Sequence, residues 1–173
     1  MDDLLEQSVL INLRINGENH ELEVQPGASL LDVLRDDVRV TGPHMGCMTG
    51  HCGACTVMID GEIAKSCVVQ AATLPRAQIT TIEGLAEEDG TLHPVQQAFW
   101  DNAGFQCGYC APGFVMSTIE LLAENPNPSE EEIDAALAGC LCRCTGYRSI
   151  VRAVKAAAGC EDSVEESTSE TTE

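Results

Sequence analysis

Basic residues are scarce in this chain. Lysine and arginine number 9 against 28 aspartates and glutamates, a formal charge of −19 over 173 residues. The last thirteen residues, EDSVEESTSETTE, hold six acids and no base; without them 22 acids still face 9 bases, so the body itself is acidic. Nucleic acid and anionic membrane surfaces repel such a charge and are poor partners for it. No apolar run approaches the roughly 18 residues that span a bilayer, so no membrane span is expected. The N-terminus MDDLLEQSVL lacks the basic segment, apolar core and cleavage site of a signal peptide, and a cytoplasmic protein is expected. Aromatics are few as well: three Phe, two Tyr and one Trp. Small domains of that kind are marginal alone, and a cofactor or partner helps to hold them.

Cysteine, by contrast, is plentiful. The length suits one ordinary domain or two small ones, and ten cysteines fall within it. Disulfides would predict export and a small chain studded throughout with cysteine, whereas these thiols are clustered and no export signal precedes them. Clustered thiols in a reducing compartment point to metal.

Val9, Ile11, Leu13 and Ile15 alternate with polar residues, the period of a half-buried strand. Asn16-Gly17 is a favoured hairpin turn, and HELEV returns as a second strand. Ser29 caps a short helix, LLDVLRDD, with Asp32 in the capping-box position. After the cysteine loop, CTVMID, the turn Asp60-Gly61 and EIAKSCVV form another hairpin, and QITTIEG a last strand. The second half changes period. PVQQAFWDNA and PGFVMSTIELLAE read as helices opened by proline. SEEEIDAALAG starts with a capping box, Ser129 and Glu132, and ends at Gly139. YRSIVRAVKAAAG places Ile150, Val151, Val154 and Ala158 on one face and stops at Gly159. The pattern predicts an α+β protein: a small strand-rich domain over 1–83, a bundle of four helices over 84–160, and a disordered acidic tail over 161–173.

The stretch HMGCMTGHCGACTVMIDG crowds three thiols into a glycine-rich loop. Cys47, Cys52 and Cys55, followed by Cys67 on the return strand, match the C-x4-C-x2-C…C pattern of a plant-type [2Fe-2S] ferredoxin. Two ferric ions, two sulfides and four thiolates sum to about −2, and a loop around that anion must aim backbone N–H groups at sulfur. Gly46, Gly50 and Gly53 permit the tight, partly left-handed turns this needs. A structural zinc site would more commonly bring two CxxC knuckles.

The helical half holds Cys107 and Cys110 in QCGYCAPG, then Cys140, Cys142 and Cys144 in GCLCRCTGY. A lone CxxC fits thioredoxin-like chemistry, zinc or a cluster, but no βαβ pattern surrounds this one. Two thiols from each segment could close a second four-thiolate site. Spacing leaves the 140/142 and 142/144 pairs equally open.

GCMTGHCGACTV, SC, LHPVQQAF, QCGYCAPG, NPNPSEEEI and LCRCTGY, in that order, resemble the small two-cluster iron–sulfur subunit of the molybdenum hydroxylases, the xanthine oxidase family. The resemblance runs from about Val9 to Val154 and looks closest to three-subunit members such as carbon monoxide dehydrogenase. It implies a ferredoxin-like β-grasp domain followed by a four-helix bundle. It assigns Cys47, Cys52, Cys55 and Cys67 to the cluster on the flavin side. Cys107, Cys110, Cys142 and Cys144 go to the cluster nearest the molybdenum cofactor, with Gln106 and Cys144 approaching its pterin. It further implies FAD on a medium subunit, molybdopterin on a large one, and a dimer of heterotrimers. Cys140 stands where Asn is usual, and Ala111 where Thr is usual. Cys140 is thereby left as a free thiol beside the second cluster, and Cys160 as a bystander.

Other features carry plainer readings. His44 and His51 flank a loop already supplied with four cysteines and are expected to be surface or hydrogen-bonding residues. Arg143 and Arg148 cap carbonyls or offset cluster charge. Trp100 is expected on a helix packing face. The function expected is an electron-transfer subunit without a substrate-handling acid, base or nucleophile. Its rivals are a free-standing two-cluster ferredoxin and a zinc-stabilised interaction module.

Overall fold

The structure, a computed structural model, describes residues 8–160. Strand β1 (Val9–Ile15) turns through Asn16-Gly17, both at positive φ, into β2 (Glu18–Val24). The alternation read in β1 holds for Ile11, Leu13 and Ile15, which are buried while the residues between them face solvent, but Val9 at the start of the strand is exposed. Ser29 then caps helix α1, its hydroxyl accepting the Asp32 N–H at 3.1 Å. The helix runs as an α-turn over Leu30–Asp32 and continues with π-helical spacing over Val33–Asp37. Strands β3 (Thr56–Ile59) and β4 (Glu62–Lys65) flank Asp60-Gly61, and β5 (Gln78–Thr80) completes the sheet.

The sheet order is β2-β1-β5-β3-β4. β1 pairs with β5 in parallel, Ile15 opposite Ile79, and every other pairing is antiparallel. One face packs against α1 through Leu30, Val33 and Leu34, together with Ile11, Leu13, Val57 and Ile79. Each such fully buried aliphatic side chain contributes about 2 kcal/mol of transfer free energy.

Four helices follow: α2 (Pro94–Asp101), α3 (Ala111–Glu124), α4 (Glu130–Leu137) and α5 (Arg148–Ala157). Their core is Val95, Phe99, Phe114, Val115, Ile133, Leu137, Ile150, Ala153 and Val154. The box at α4 is present in both directions: Glu132 N–H to Ser129 Oγ at 3.3 Å, and Ser129 N–H to Glu132 Oε2 at 2.7 Å. Helix α2 has a cap the sequence did not announce, with His93 Nδ1 accepting the Val95 N–H at 3.2 Å and Gln96 reaching back to the His93 N–H. Helix α3 touches both halves. Its first turns are buried from Pro112 to Thr118, and Glu120 accepts the Ile63 N–H of β4 at 3.0 Å.

Three expectations are corrected. β4 stops at Lys65, because Ser66–Val68 curls into a 3-10 turn; the Ser66 N–H and hydroxyl both donate to the Cys55 carbonyl, at 3.3 and 2.7 Å, which turns Cys67 inward. β5 likewise ends at Thr80, with Ile82–Leu85 forming another 3-10 turn. Trp100 is 77% exposed, since its neighbour Phe99 takes the inward position on α2. The expectation for the acidic tail lies outside the described residues. Among the described residues no helix is long and apolar enough to cross a membrane.

Candidate metal centres

The loop of the first cysteine set is delivered by the end of α1. Arg35 Nη1 donates to the carbonyls of Thr41 and Pro43, both at 2.7 Å, and the His44 N–H bonds the Ala54 carbonyl at 2.8 Å, closing the loop on itself. Inside it, Cys47 Sγ accepts the N–H groups of Thr49 and Cys52, each at 3.4 Å. The Thr49 side chain, with these two amides, holds the Cys47 thiol down to about 5. Cys52 is raised by burial and by neighbouring Cys47, with the Ala54 amide pulling against both. Cys55 and Cys67 pack together against Leu31. Burial and the Cys55 neighbour push Cys67 up to about 11, against a Gly50 amide that lowers it.

Two glycines are fixed here by geometry. A Cβ on Gly46 would lie 2.6 Å from Cys52 Sγ, so its need is close approach rather than a left-handed turn. Gly53 has φ +76, and its Cβ would meet the Gly139 carbonyl at 2.7 Å and Cys140 Sγ at 2.8 Å.

The second set assembles from two segments. Cys107 precedes α3 and Cys110 is its N-terminal cap residue, while Cys142 and Cys144 lie in the connection from α4 to α5. Cys107 Sγ and Cys144 Sγ stand 3.6 Å apart. Cys110 is pushed up to about 12 by burial and by the adjacent Cys142 thiol. For Cys142 burial is the largest influence and raises it, but bonds from Thr145 and the Cys144 amide, with the Cys110 thiol, outweigh burial and leave it lowered. Cys144 is raised, chiefly by Cys107. These four thiols line one cavity of about 180 Å³, together with Gly46, Cys52 and Ala54 of the first loop. Tyr147, in the left-handed region at φ 69, turns its hydroxyl back to accept the Cys142 N–H at 3.0 Å.

Each set thus falls into thiol pairs: 47 with 52, 55 with 67, 107 with 144, and 110 with 142. One member of each pair is raised, Cys52, Cys67 and Cys110 chiefly by burial with the neighbouring thiol adding to it, and Cys144 chiefly by Cys107. Among the described residues, no three His, Cys, Asp or Glu side chains stand close enough to hold a single metal ion. Paired thiols with N–H groups aimed at sulfur fit a two-iron, two-sulfide core, where each iron takes two thiolates.

The remaining candidates are spread differently. Cys140 is 3% exposed and does not face the four-thiol cavity. Its Sγ sits 3.7 Å from Ser117 Oγ and against Gly53 and Gly113, a free thiol buried in the same cluster as Cys110. Gln106 is exposed, next to exposed Cys107. Cys160 is exposed beyond Gly159. His51 bonds Thr49 Oγ1 at 3.1 Å. His44 stacks on Tyr109 with ring centroids 4.4 Å apart and bonds its carbonyl at 2.9 Å, and the Tyr109 hydroxyl donates to the Met45 carbonyl at 2.7 Å. This clasp joins the first loop to the CxxC segment. Sequence reasoning passed over Tyr109, Tyr147 and Lys65; the only signal for the tyrosines was their place inside or just after the two cysteine motifs.

Comparisons with known proteins find two [2Fe-2S] domain families along the chain. Residues 13–93 match the 2Fe-2S iron-sulfur cluster binding domain family, and residues 81–155 match the [2Fe-2S] binding domain family. The chain is 46% identical over 151 residues to the nicotine 6-hydroxylase small subunit of Paenarthrobacter nicotinovorans, covering 87% of this chain and 90% of that one. It is 44% identical over 147 residues to the nicotinate dehydrogenase small FeS subunit of Eubacterium barkeri, covering 85% and 93%. Among solved structures, quinoline 2-oxidoreductase from Pseudomonas putida 86 superposes with a TM-score of 0.84 at 38% identity, over 89% of this chain and 96% of that one. Aldehyde oxidoreductase from Desulfovibrio gigas superposes with a TM-score of 0.80 at 41% identity, over 87% of this chain and 17% of that longer one.

Proposed function

The chain belongs to the small iron–sulfur subunits of the molybdenum hydroxylase family, and from that premise we propose a specific route for the electrons it carries. Cys107, Cys110, Cys142 and Cys144 hold the [2Fe-2S] cluster that faces a molybdopterin cofactor on a large partner subunit. Cys47, Cys52, Cys55 and Cys67 hold the one that faces FAD on a medium subunit. Small, medium and large chains form a heterotrimer, and two heterotrimers pair in the cytoplasm. The domain boundary falls at residues 83/84.

The observation that carries the reading is the four-thiol cavity, whose wall also includes Cys52 of the first loop. Bound there, two-iron centres supply one-electron oxidation and reduction with little rearrangement. The chain's own residues do the rest. Thr49, Cys52 and Gly50 present N–H groups to sulfur and favour the deprotonated, metal-binding thiolates. Tyr147 and Thr145 orient Cys142. Exposed Cys107, Cys144 and Gln106 lie where a pterin on another chain can reach them. No residue of this chain acts as acid, base or nucleophile on substrate.

Purification from the native host tests this. The expected product is a complex of this chain with a flavoprotein and a molybdopterin subunit, with about four irons and four acid-labile sulfides per small chain. A fully active small chain that purifies alone, or one carrying stoichiometric zinc, contradicts it.

A further inference from the structure

Lys65 ends β4 two residues before Cys67, and its ammonium reaches across to the other half of the molecule. Its Nζ donates to the Gly139 carbonyl at 3.1 Å and to Thr56 Oγ1 at 3.1 Å. The fully buried Thr56 hydroxyl donates onward to the Gly53 carbonyl at 2.7 Å. The result is one chain of hydrogen bonds: Gly139 carbonyl, Lys65 ammonium, Thr56 hydroxyl, Gly53 carbonyl. Gly53 lies between Cys52 and Cys55, and Gly139 lies three residues before Cys142. A second tie runs alongside, from the Leu141 N–H to the Cys52 carbonyl at 3.0 Å. Close packing leaves little slack between the two loops, since a Cβ on Gly53 or Gly113 would collide with Cys140 Sγ within 2.9 Å.

The charge of Lys65 is as informative as its bonds. In a protein of net charge −19, an ammonium would be expected to find a carboxylate. Lys65 is half-buried, and among the described residues it forms no ion pair. It is aimed at neutral oxygens on the two loops that flank the thiol sets. Burial raises the neighbouring Cys140 thiol, which lies between the two loops, and the Lys65 charge pulls it down; any four-thiolate two-iron core beside it would carry about −2, more on reduction.

We propose that Lys65 is a positioning residue for electron transfer between the two centres. Acting through Thr56 and the carbonyls of Gly53 and Gly139, it fixes the spacing of the two cysteine loops, and its charge favours the reduced state of the adjoining clusters. The inference rests on the two-cluster reading above.

The test uses the intact complex, with iron analysis and electron paramagnetic resonance followed through a redox titration. Lys65→Met should keep four irons and both signals, yet shift the one-electron equilibrium of at least one cluster tenfold toward oxidation, which is 59 mV. Lys65→Arg should restore the potential. Unchanged potentials in Lys65→Met, or an equal shift in the exposed control Arg76→Gln, overturn the proposal. Thr56→Val keeps the volume and the charge but breaks the hydrogen-bond chain, and should alter the magnetic splitting between the two reduced clusters. Native splitting in that variant overturns the positioning role even if Lys65→Met fails to assemble. A wild-type complex without two distinct signals would instead sink the two-cluster reading, so the two failures are separable.

Discussion

Cys47, Cys52 and Cys55 sit in one short loop, and Cys67 joins them from the adjoining hairpin, whereas Cys107 and Cys110 must meet Cys142 and Cys144 from the far ends of α3 and α4. The first site is mostly local: its sulfurs are wrapped by amides of their own loop, and Cys55 and Cys67 are buried. The second is tertiary, and two of its thiols, Cys107 and Cys144, are exposed. A local cage protects its contents and needs little from the rest of the chain. A site closed by two segments depends on the bundle packing that brings them together, and gains open thiols for an outside contact. Damage to the bundle should therefore reach the second centre long before the first.

Gly53 is where the two regions touch, and it should show the largest effect on stability. Gly53→Ala forces a side chain into the left-handed region and against Gly139 and Cys140, and should destabilise the protein by about 3 kcal/mol. Thermal unfolding measures this, and both paramagnetic signals should broaden together.

Tyr147→Phe probes the second region alone. It removes the hydroxyl that accepts the Cys142 N–H, a loss of about 1 kcal/mol. The potential of the second centre should move while that of the first stays put; equal movement of both would erase the distinction drawn above.

Cys140→Ser is milder, because the residue lies in packing near Ser117 and not on the four-thiol cavity. Both clusters should survive, with stability lowered by about 1 kcal/mol as a small hydrophobe becomes a hydroxyl. Loss of a cluster in this variant would reassign the ligands.

The smallest effect concerns acid. Hydrogen bonds from the Ser129 backbone and hydroxyl hold the Glu132 carboxyl below its usual range. A lowered folded value means the stabilisation is present above the unfolded carboxylate pKa of about 4.3 and is lost as pH falls through the folded value. Glu132→Gln should therefore flatten the acid limb of the stability curve by lowering stability slightly at neutral pH, with the two proteins converging in acid.

What could be read in the sequence follows the same divide. The C-x4-C-x2-C spacing, the turns at Asn16-Gly17 and Asp60-Gly61, and the capping box at Ser129 all act over a few residues, and each appears where expected. The choice among Cys140, Cys142 and Cys144 depends on which way a loop faces in a packed bundle. The structure turns Cys140 toward Ser117 and Cys144 toward Cys107, which no spacing could announce. Trp100 failed for a related reason: adjacent Phe99 competes for one inward position, and packing decides. The inward curl at Ser66, the clasp from Tyr109 and the reach of Lys65 are likewise contacts between distant segments.

The central claim is that eight thiols form two separate, independently breakable centres. Electron paramagnetic resonance on the reduced complex, compared between Cys67→Ser and Cys142→Ser, tests it most directly. Each variant should lose about two irons and one signal, Cys67→Ser the first and Cys142→Ser the second, with the other signal intact. Loss of the same signal in both variants, or of neither, would contradict the account.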